Sequence, residues 1–205
     1  MNLIILSDSF PPKKNSASIQ IYELCKEFVK KKHKVTLIFP STEIEKNVES
    51  NFYEGIKVVN FKIKKFSEKN YVFRGLSELS MVLFFTLNFK NIVRNYLDES
   101  YDGIIWYSPT IFFGPMVKIL KSKYKCPSYL ILRDIFPQWM LDLKLLNKGL
   151  SYYLLKFFEL YQYKQADVIG IQSKGNLKYF NKIKKNSSVV ILNNWLSDGK
   201  KFKKK

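Results

Sequence analysis

Short, unbroken apolar runs alternate with longer stretches of helical period along this chain. Leu3-Ile4-Ile5-Leu6 is the first run, and residues 35–40, 101–107, 126–132, 167–171 and 189–192 repeat the pattern. A strand with one face in water alternates apolar and polar side chains, whereas a strand covered on both faces does not. These runs therefore predict buried strands. Residues 55–63 alternate in part and predict a more exposed strand near an edge. Between the runs the period changes. Ile21, Leu24, Cys25 and Phe28 fall on one face of a helix reaching to about residue 32, with Ser16 or Ser18 as its cap. Helices are likewise expected over 71–97, 112–123, 139–146, 150–165 and 173–180, the last opened by Ser173. Residues 41–51 are polar and acidic and read as a loop or a short helix, and 64–70 read as a basic loop. This alternation calls for an α/β fold, a mostly parallel sheet with helices on both faces, in three layers. It occupies one domain, 1–196, followed by a basic tail, 197–205.

In such sheets ligands sit outside the carboxyl ends of the strands, where strand order reverses. The polar turns 7–18, 108–110, 133–138, 173–176 and 193–195 fall at those ends and are expected to share one rim. The first of them, with two prolines and no apolar period, offers backbone N–H groups and a helix N-terminus to an approaching ligand. Asp8, Asn15, Ser16, Arg133, Asp134, Gln138, Ser173, Lys174 and Asn193 supply hydrogen bonds and charge for hydroxyls and phosphates. Phe10, Tyr107, Phe136 and Trp139 stand beside them and suit a sugar ring or a lipid chain. Arg133-Asp134, directly after a buried strand, is the sharpest pair. In one reading Asp134 orients or deprotonates a hydroxyl nucleophile while Arg133 holds a phosphate. In the other the two form a local ion pair, or Asp134 caps the next helix.

Several chemistries are excluded. The chain has no GxGxxG, no Gly-Lys-Ser/Thr phosphate loop and no CxxC. Its sole histidine, His33, lies among lysines at the start of a strand, which leaves no histidine triad and no zinc set. Cys25 and Cys126 sit in apolar surroundings and read as buried free thiols. There is no secretory signal and no run of the roughly 18–20 apolar residues that spans a bilayer, so a cytoplasmic location is expected.

Charge adds a partner class. The 205 residues carry 35 Lys+Arg against 17 Asp+Glu, a net +18. Such a field favours nucleic acid, anionic lipid or phosphorylated substrates. Lysine outnumbers arginine heavily, and base reading relies on arginine forks, so a non-enzymatic nucleic-acid- or anion-binding domain is kept only as the alternative. The basic residues between Lys62 and Lys69, with Phe61, Phe66 and the apolar helix around Phe84, suit an anionic bilayer.

Five segments, in order, carry a family resemblance. They are Asp8-Ser9-Phe10-Pro11-Pro12, Lys32-His33-Lys34-Val35-Thr36, Arg133-Asp134-Ile135-Phe136-Pro137-Gln138, Ala166-Asp167-Val168-Ile169 through Ser173, and Ile191-Leu192-Asn193-Asn194-Trp195. Over nearly all of 1–197 the chain resembles the N-terminal half of glycosyltransferase family 4, and most closely its bacterial O-antigen and capsule fucosamine-transferase-like members. The resemblance implies the GT-B fold of two facing Rossmann-like domains. It also implies retaining transfer from a nucleotide-sugar to a polyprenyl-diphosphate-linked acceptor at the inner membrane face. On this resemblance Asp134 and Arg133 carry the chemistry. Asp8, Phe10, Tyr107, Ser108, Phe136, Gln138 and Trp139 meet the acceptor, and Asn15, Ser16, Ser173 and Asn193 lie near the donor diphosphate. No metal and no cofactor is expected beyond the nucleotide-sugar co-substrate. Asn15-Ser16 stand where the family usually has Gly-Gly, and Lys32 where it commonly has Gly. The family's donor domain would follow Asn193–Trp195, so the chain is expected to be a truncated product or one half of a split enzyme. Alone it is expected to have little or no transferase activity, and a separately encoded donor domain is a candidate partner.

Overall fold

The computed structural model describes residues 1–63, 71–108, 110–183 and 188–195. The basic loop at 64–70, Pro109 and the tail lie outside the described residues. One sheet contains β1 (Asn2–Leu6), β2 (Lys34–Ser41), β3 (Val48–Tyr53), β4 (Ile56–Lys62), β5 (Gly103–Ser108), β6 (Ser128–Leu132), β7 (Val168–Ile171) and β8 (Ser188–Ile191). Their order is β3-β4-β2-β1-β5-β6-β7-β8, and every pairing is parallel except β3 with β4. The helices are α1 (Ser16–Lys30), α2 (Tyr71–Tyr96), α3 (Gly114–Tyr124), α4 (Gln138–Asp142), α5 (Leu150–Gln165) and α6 (Lys174–Ile183). The α/β three-layer architecture is the one the alternation of runs predicts.

Crossover handedness decides which helix covers which face. The connection through α1 steps from β1 to β2 in one direction. Those through α2, α3, α5 and α6 step from β4 to β5 and onward to β8 in the other. Right-handed crossovers then place α1 on one face and the other four on the opposite face. The buried side chains divide accordingly. Ile4, Leu6, Phe61, Trp106 and Leu130 pack under Phe85, Met116, Leu120 and Phe180. Ile5, Leu37, Val58 and Ile131 pack under Ile21 and Cys25. Successive residues of one strand thus enter different cores, which is why the runs are unbroken.

The structure corrects four local expectations. Residues 48–53, expected within a loop or short helix, form the antiparallel edge strand β3. Of that strand Val48 alone is buried, so its place is set by the ladder to β4 and not by an apolar face of its own. A tight turn joins the two, with Glu54 at φ 47° and Gly55 at φ 82°, the latter a value that glycine adopts freely. Because β3 takes the edge, β4 is not the exposed strand expected; Val58, Val59, Asn60 and Phe61 are buried. The cap of α1 is Asn15, whose Oδ1 accepts from the Ser18 N–H at 2.7 Å, in place of Ser16 or Ser18. The helix expected over 139–146 is the short α4, after which Lys144 takes a left-handed φ of 57°.

Candidate functional site

Because the strands from β1 to β8 other than β3 run parallel, the loops leaving their carboxyl ends emerge along one edge of the sheet. The connection leaving β1 runs to β2 on one side and the one leaving β5 runs to β6 on the other, so the strand order reverses between β1 and β5, the place where ligands meet such sheets. The loop after β1 is held by its own side chains. Ser7 Oγ donates to the Ser9 carbonyl at 2.8 Å and accepts from the Ser9 N–H at 3.1 Å. Lys13 Nζ donates to the Asp8 carbonyl at 2.9 Å. Two cis peptide bonds lie on this edge, Pro11–Pro12 and Phe136–Pro137.

The centre of the edge is Arg133, immediately past β6. It is only 8 % exposed. Its Nη2 donates to Gln20 Oε1 at 2.8 Å, and its Nη1 donates to Asn194 Oδ1. The guanidinium lies over the rings of Tyr107, 5.5 Å from the centroid, and Trp195, at 4.6 Å. Tyr107 Oη donates to the same Gln20 oxygen at 2.9 Å, and Trp195 Nε1 donates to the Gln20 backbone carbonyl at 3.1 Å. One arginine thereby ties α1, β5, β6 and the segment leaving β8. The Arg133 terminal nitrogens are bonded to neutral amides, and the carboxylates of Asp8 and Asp134 act on the same Tyr107 ring. Burial pushes the Tyr107 phenol above its usual range, with Arg133 pulling the other way, and at neutral pH Tyr107 stays a protonated donor.

The pair singled out in the sequence separates in the structure. Arg133 turns inward, with both terminal nitrogens engaged, whereas Asp134 is exposed. The remaining residues divide by depth. Asp8 is half-buried; Asn15, Ser16, Trp139, Ser173 and Asn193 are exposed. Tyr107 is buried in the arginine site. Phe10, expected at the surface, is 2 % exposed and meets Tyr22 and Tyr53 edge-on, with centroids 6.3 and 5.7 Å away. Ser108 is fully buried, and its Oγ has no hydrogen-bond partner among the described residues. Phe136 is half-buried against Trp139, at 6.1 Å between centroids. Gln138 is drawn back toward α5, accepting from Tyr152 Oη at 3.3 Å while donating to Asp142 at 2.8 Å. The Ser173 carbonyl accepts from the Asn176 N–H at 3.1 Å at the start of α6.

Sequence reasoning misses Gln20 and Asn194 as members of this site and names Asn193 in place of its neighbour. The aromatic Trp195, directly after a strand and two asparagines, is the signal that something docks there. Nothing local marks Gln20. A cleft of about 280 Å3 adjoins the loop after β1, at the ends of β2 and β4, with Phe39, Glu43, Glu49 and Asn60 on its walls. Among the described residues, no group of three His, Cys, Asp or Glu side chains is placed to hold a metal ion. The edge therefore offers an exposed carboxylate, amide and hydroxyl groups, an aromatic ring and a buried guanidinium. That set suits hydroxyl-rich and phosphorylated ligands.

No family model matches the chain, and no curated protein matches it in sequence. Solved structures match the fold. Sucrose-phosphate synthase from Thermosynechococcus elongatus superimposes with a TM-score of 0.67 at 12 % identity, over 94 % of this chain and 48 % of that one. Apo UGT2 from Phytolacca americana gives 0.59 at 12 %, over 97 % of this chain and 53 % of its own. A UDP-forming α,α-trehalose-phosphate synthase from Burkholderia xenovorans, in complex with glucose-6-phosphate, gives 0.55 at 14 %, over 89 % and 43 %. The class that the fold defines is thus the GT-B type, built from Rossmann-like domains. This chain is one such domain, and it spans about half the length of each of these structures.

Proposed function

We propose that the chain is the acceptor-binding half of a nucleotide-sugar-dependent, retaining glycosyltransferase of the kind that assembles bacterial O-antigen or capsule. The supporting observation is the reversal of strand order between β1 and β5, beside which Arg133 locks the segment at 193–195 to the body of the domain. A solved neighbour of the same fold holds UDP-2-fluoroglucose and pterostilbene. By that analogy a second lobe supplies the nucleotide-sugar and faces Asn15, Ser16, Ser173 and Asn193. Asp134, the exposed carboxylate of the central loop, orients the acceptor hydroxyl. Asp8 and Trp139 flank a polyprenyl-diphosphate-linked sugar, and Arg133 acts as a positioning residue whose charge favours the diphosphate.

The test is a titration with a short-chain polyprenyl diphosphate carrying N-acetylglucosamine, followed by tryptophan fluorescence. Quenching is expected in the 205-residue chain and is expected to weaken about tenfold in Asp134→Asn, the effect of losing one charge-assisted hydrogen bond. Sugar transfer from a panel of UDP- and GDP-sugars is expected only when a donor lobe is added as a second polypeptide. Absence of acceptor binding together with tight, steeply salt-dependent retention of RNA on filters would instead establish the nucleic-acid alternative.

A further inference from the structure

Carboxylates are scarce in this chain, and two of them stand apart. Glu27 and Glu54 are paired with Lys30 and Lys26. The Glu43 and Glu49 carboxylates meet neither a cation nor a hydrogen-bond donor among the described residues. Both stand on the walls of the cleft of about 280 Å3 at the carboxyl ends of β2 and β4. Strand register explains the placement. Glu49 of β3 lies opposite Asn60 of β4, and Asn60 lies opposite Phe39 of β2, so one row crosses three strands. Asn51 lies opposite Val58 in the next row on that side. Phe39 and Val58 belong to the core under α1, which fixes the face. The Ser41 Oγ accepts from the Glu43 N–H at 3.1 Å, a turn that keeps Glu43 at the end of β2.

Asn60 is a second, independent mark of a binding site. It is only 9 % exposed, it lines the cleft, and its side-chain amide has no hydrogen-bond partner among the described residues. An unpaired buried amide destabilises a fold, and an apolar side chain of the same shape would not. The chain thus holds a donor and an acceptor where a molecule in the cleft can satisfy them. The charge around them is also unusual. No lysine or arginine of the described residues walls the cleft, in a chain of net +18. Lys13 and Lys62, on the neighbouring loop and at the end of β4, are turned to backbone carbonyls, those of Asp8 at 2.9 Å and Glu45 at 3.2 Å. The cleft is therefore a local reversal of sign, and its two carboxylates disfavour an anion.

We propose that this cleft binds a small polyhydroxylated molecule carrying a primary ammonium group, the chemistry of an amino sugar with a free amine. Glu43 and Glu49 take the ammonium through charge-assisted hydrogen bonds. The Asn51 and Asn60 amides each offer donors and an acceptor to hydroxyl groups. The Tyr53 ring, on the same wall, gives the apolar face of the ligand a flat partner. The volume lies just below the roughly 300–1,000 Å3 of small-molecule sites, which suits a ligand of one ring. Strands β1 and β5 separate this cleft from β6, whose loop carries Arg133 and Asp134. The proposal stands independently of the transferase reading, in which Glu43, Glu49, Asn51 and Asn60 have no part.

The experiment is a saturation-transfer NMR titration of the 205-residue chain at slightly acid pH, where the glucosamine amine is protonated. Four probes are compared: glucosamine, glucose, N-acetylglucosamine and butylamine. Glucosamine is expected to bind. Glucose and N-acetylglucosamine, which lack the charge, and butylamine, which lacks the hydroxyls, are each expected to bind at least about tenfold more weakly. Glu43→Gln with Glu49→Gln is expected to weaken glucosamine at least about tenfold, with an unchanged circular dichroism spectrum. Glu99→Gln, the same charge change at an exposed position ahead of β5, is expected to bind as wild type. Asn60→Leu is expected to lose about tenfold in glucosamine affinity without a lower melting temperature, because it replaces an unpaired amide by an apolar side chain of the same shape. Absence of glucosamine binding, equal binding of glucosamine and N-acetylglucosamine, or wild-type affinity in the double glutamine variant overturns the proposal. So does an Asn60→Leu variant that binds as wild type.

Discussion

Arg133 shows how a side chain that reads as chemistry can serve architecture first. Its fork joins Gln20 and Asn194, and its plane is held between two aromatic rings. A lysine offers neither the fork nor the plane, so Arg133→Lys is not a conservative change here. Arg133→Met is expected to destabilise the chain by about 2–3 kcal/mol, since it leaves the Gln20 and Asn194 oxygens without their charged donor. The local readout is sharper than the global one. Trp195, released from Gln20 and from the guanidinium, is expected to shift its emission to the red. An unchanged spectrum would mean that the segment at 193–195 is held by something other than Arg133. Depth accounts for the other residue-level surprises. Phe10 looks like a loop aromatic in the sequence, yet it fills the gap between α1 and β3 through Tyr22 and Tyr53.

Elements in this fold are joined by a few polar ties at the ends of otherwise apolar contacts. Asp167, just ahead of β7, accepts from Lys121 of α3 at 2.8 Å and from the Ser128 N–H and Oγ of β6 at 2.8 and 2.9 Å. Burial alone would raise this carboxyl. The hydrogen bonds from Lys121 and Ser128 together outweigh that and hold it below the usual range. A carboxyl depressed in the folded state contributes stability above its unfolded value of about 3.9, and the contribution is lost as pH falls through the lower folded value. Half of the side chain is exposed, so solvent screens part of the interaction. Asp167→Asn is expected to cost about 1–2 kcal/mol in urea unfolding at neutral pH, with the difference from wild type shrinking below about pH 4. A difference independent of pH would show that the shape of the side chain matters and its charge does not. Close approach governs another joint: a Cβ on Gly114 would lie 2.9 Å from the Gln162 Cα, so α3 and α5 can meet at this distance only over a glycine.

At the scale of the whole molecule the net charge of +18 acts on stability as well as on partners. Like charges spread over one domain repel in the compact state. Screening shortens their reach from about 30 Å at 0.01 M salt to about 10 Å at 0.1 M. The melting temperature is therefore expected to rise with sodium chloride by several degrees, at about 2–4 °C per kcal/mol for a chain of this size. Sulfate is expected to act more strongly than chloride at equal ionic strength, because it also strengthens apolar burial. A melting temperature that falls with salt would mean that attractive pairs outweigh repulsion. Among the described residues no helix is long and apolar enough to cross a membrane.

Local pattern alone determined the layers of this protein. Unbroken runs such as 3–6 and 128–132 could satisfy both of their faces only inside a parallel sheet, and the helical periods between them had one place to go. The same pattern set the polar turns at the ends of the strands, and with them the edge on which a ligand would meet the domain. Tertiary structure decided what each of those residues does there. Arg133 became a tie because Gln20, Tyr107, Asn194 and Trp195, scattered from residue 20 to residue 195, converge on it only after the sheet is assembled. The edge strand β3 carries too few apolar side chains to announce itself, and it exists because β4 offers a row of unpaired backbone groups. Helix α5 follows the same logic: Leu155 and Phe158 lie against the core while Leu154 and Phe157 face water, and only packing chooses which apolar side chains are turned inward.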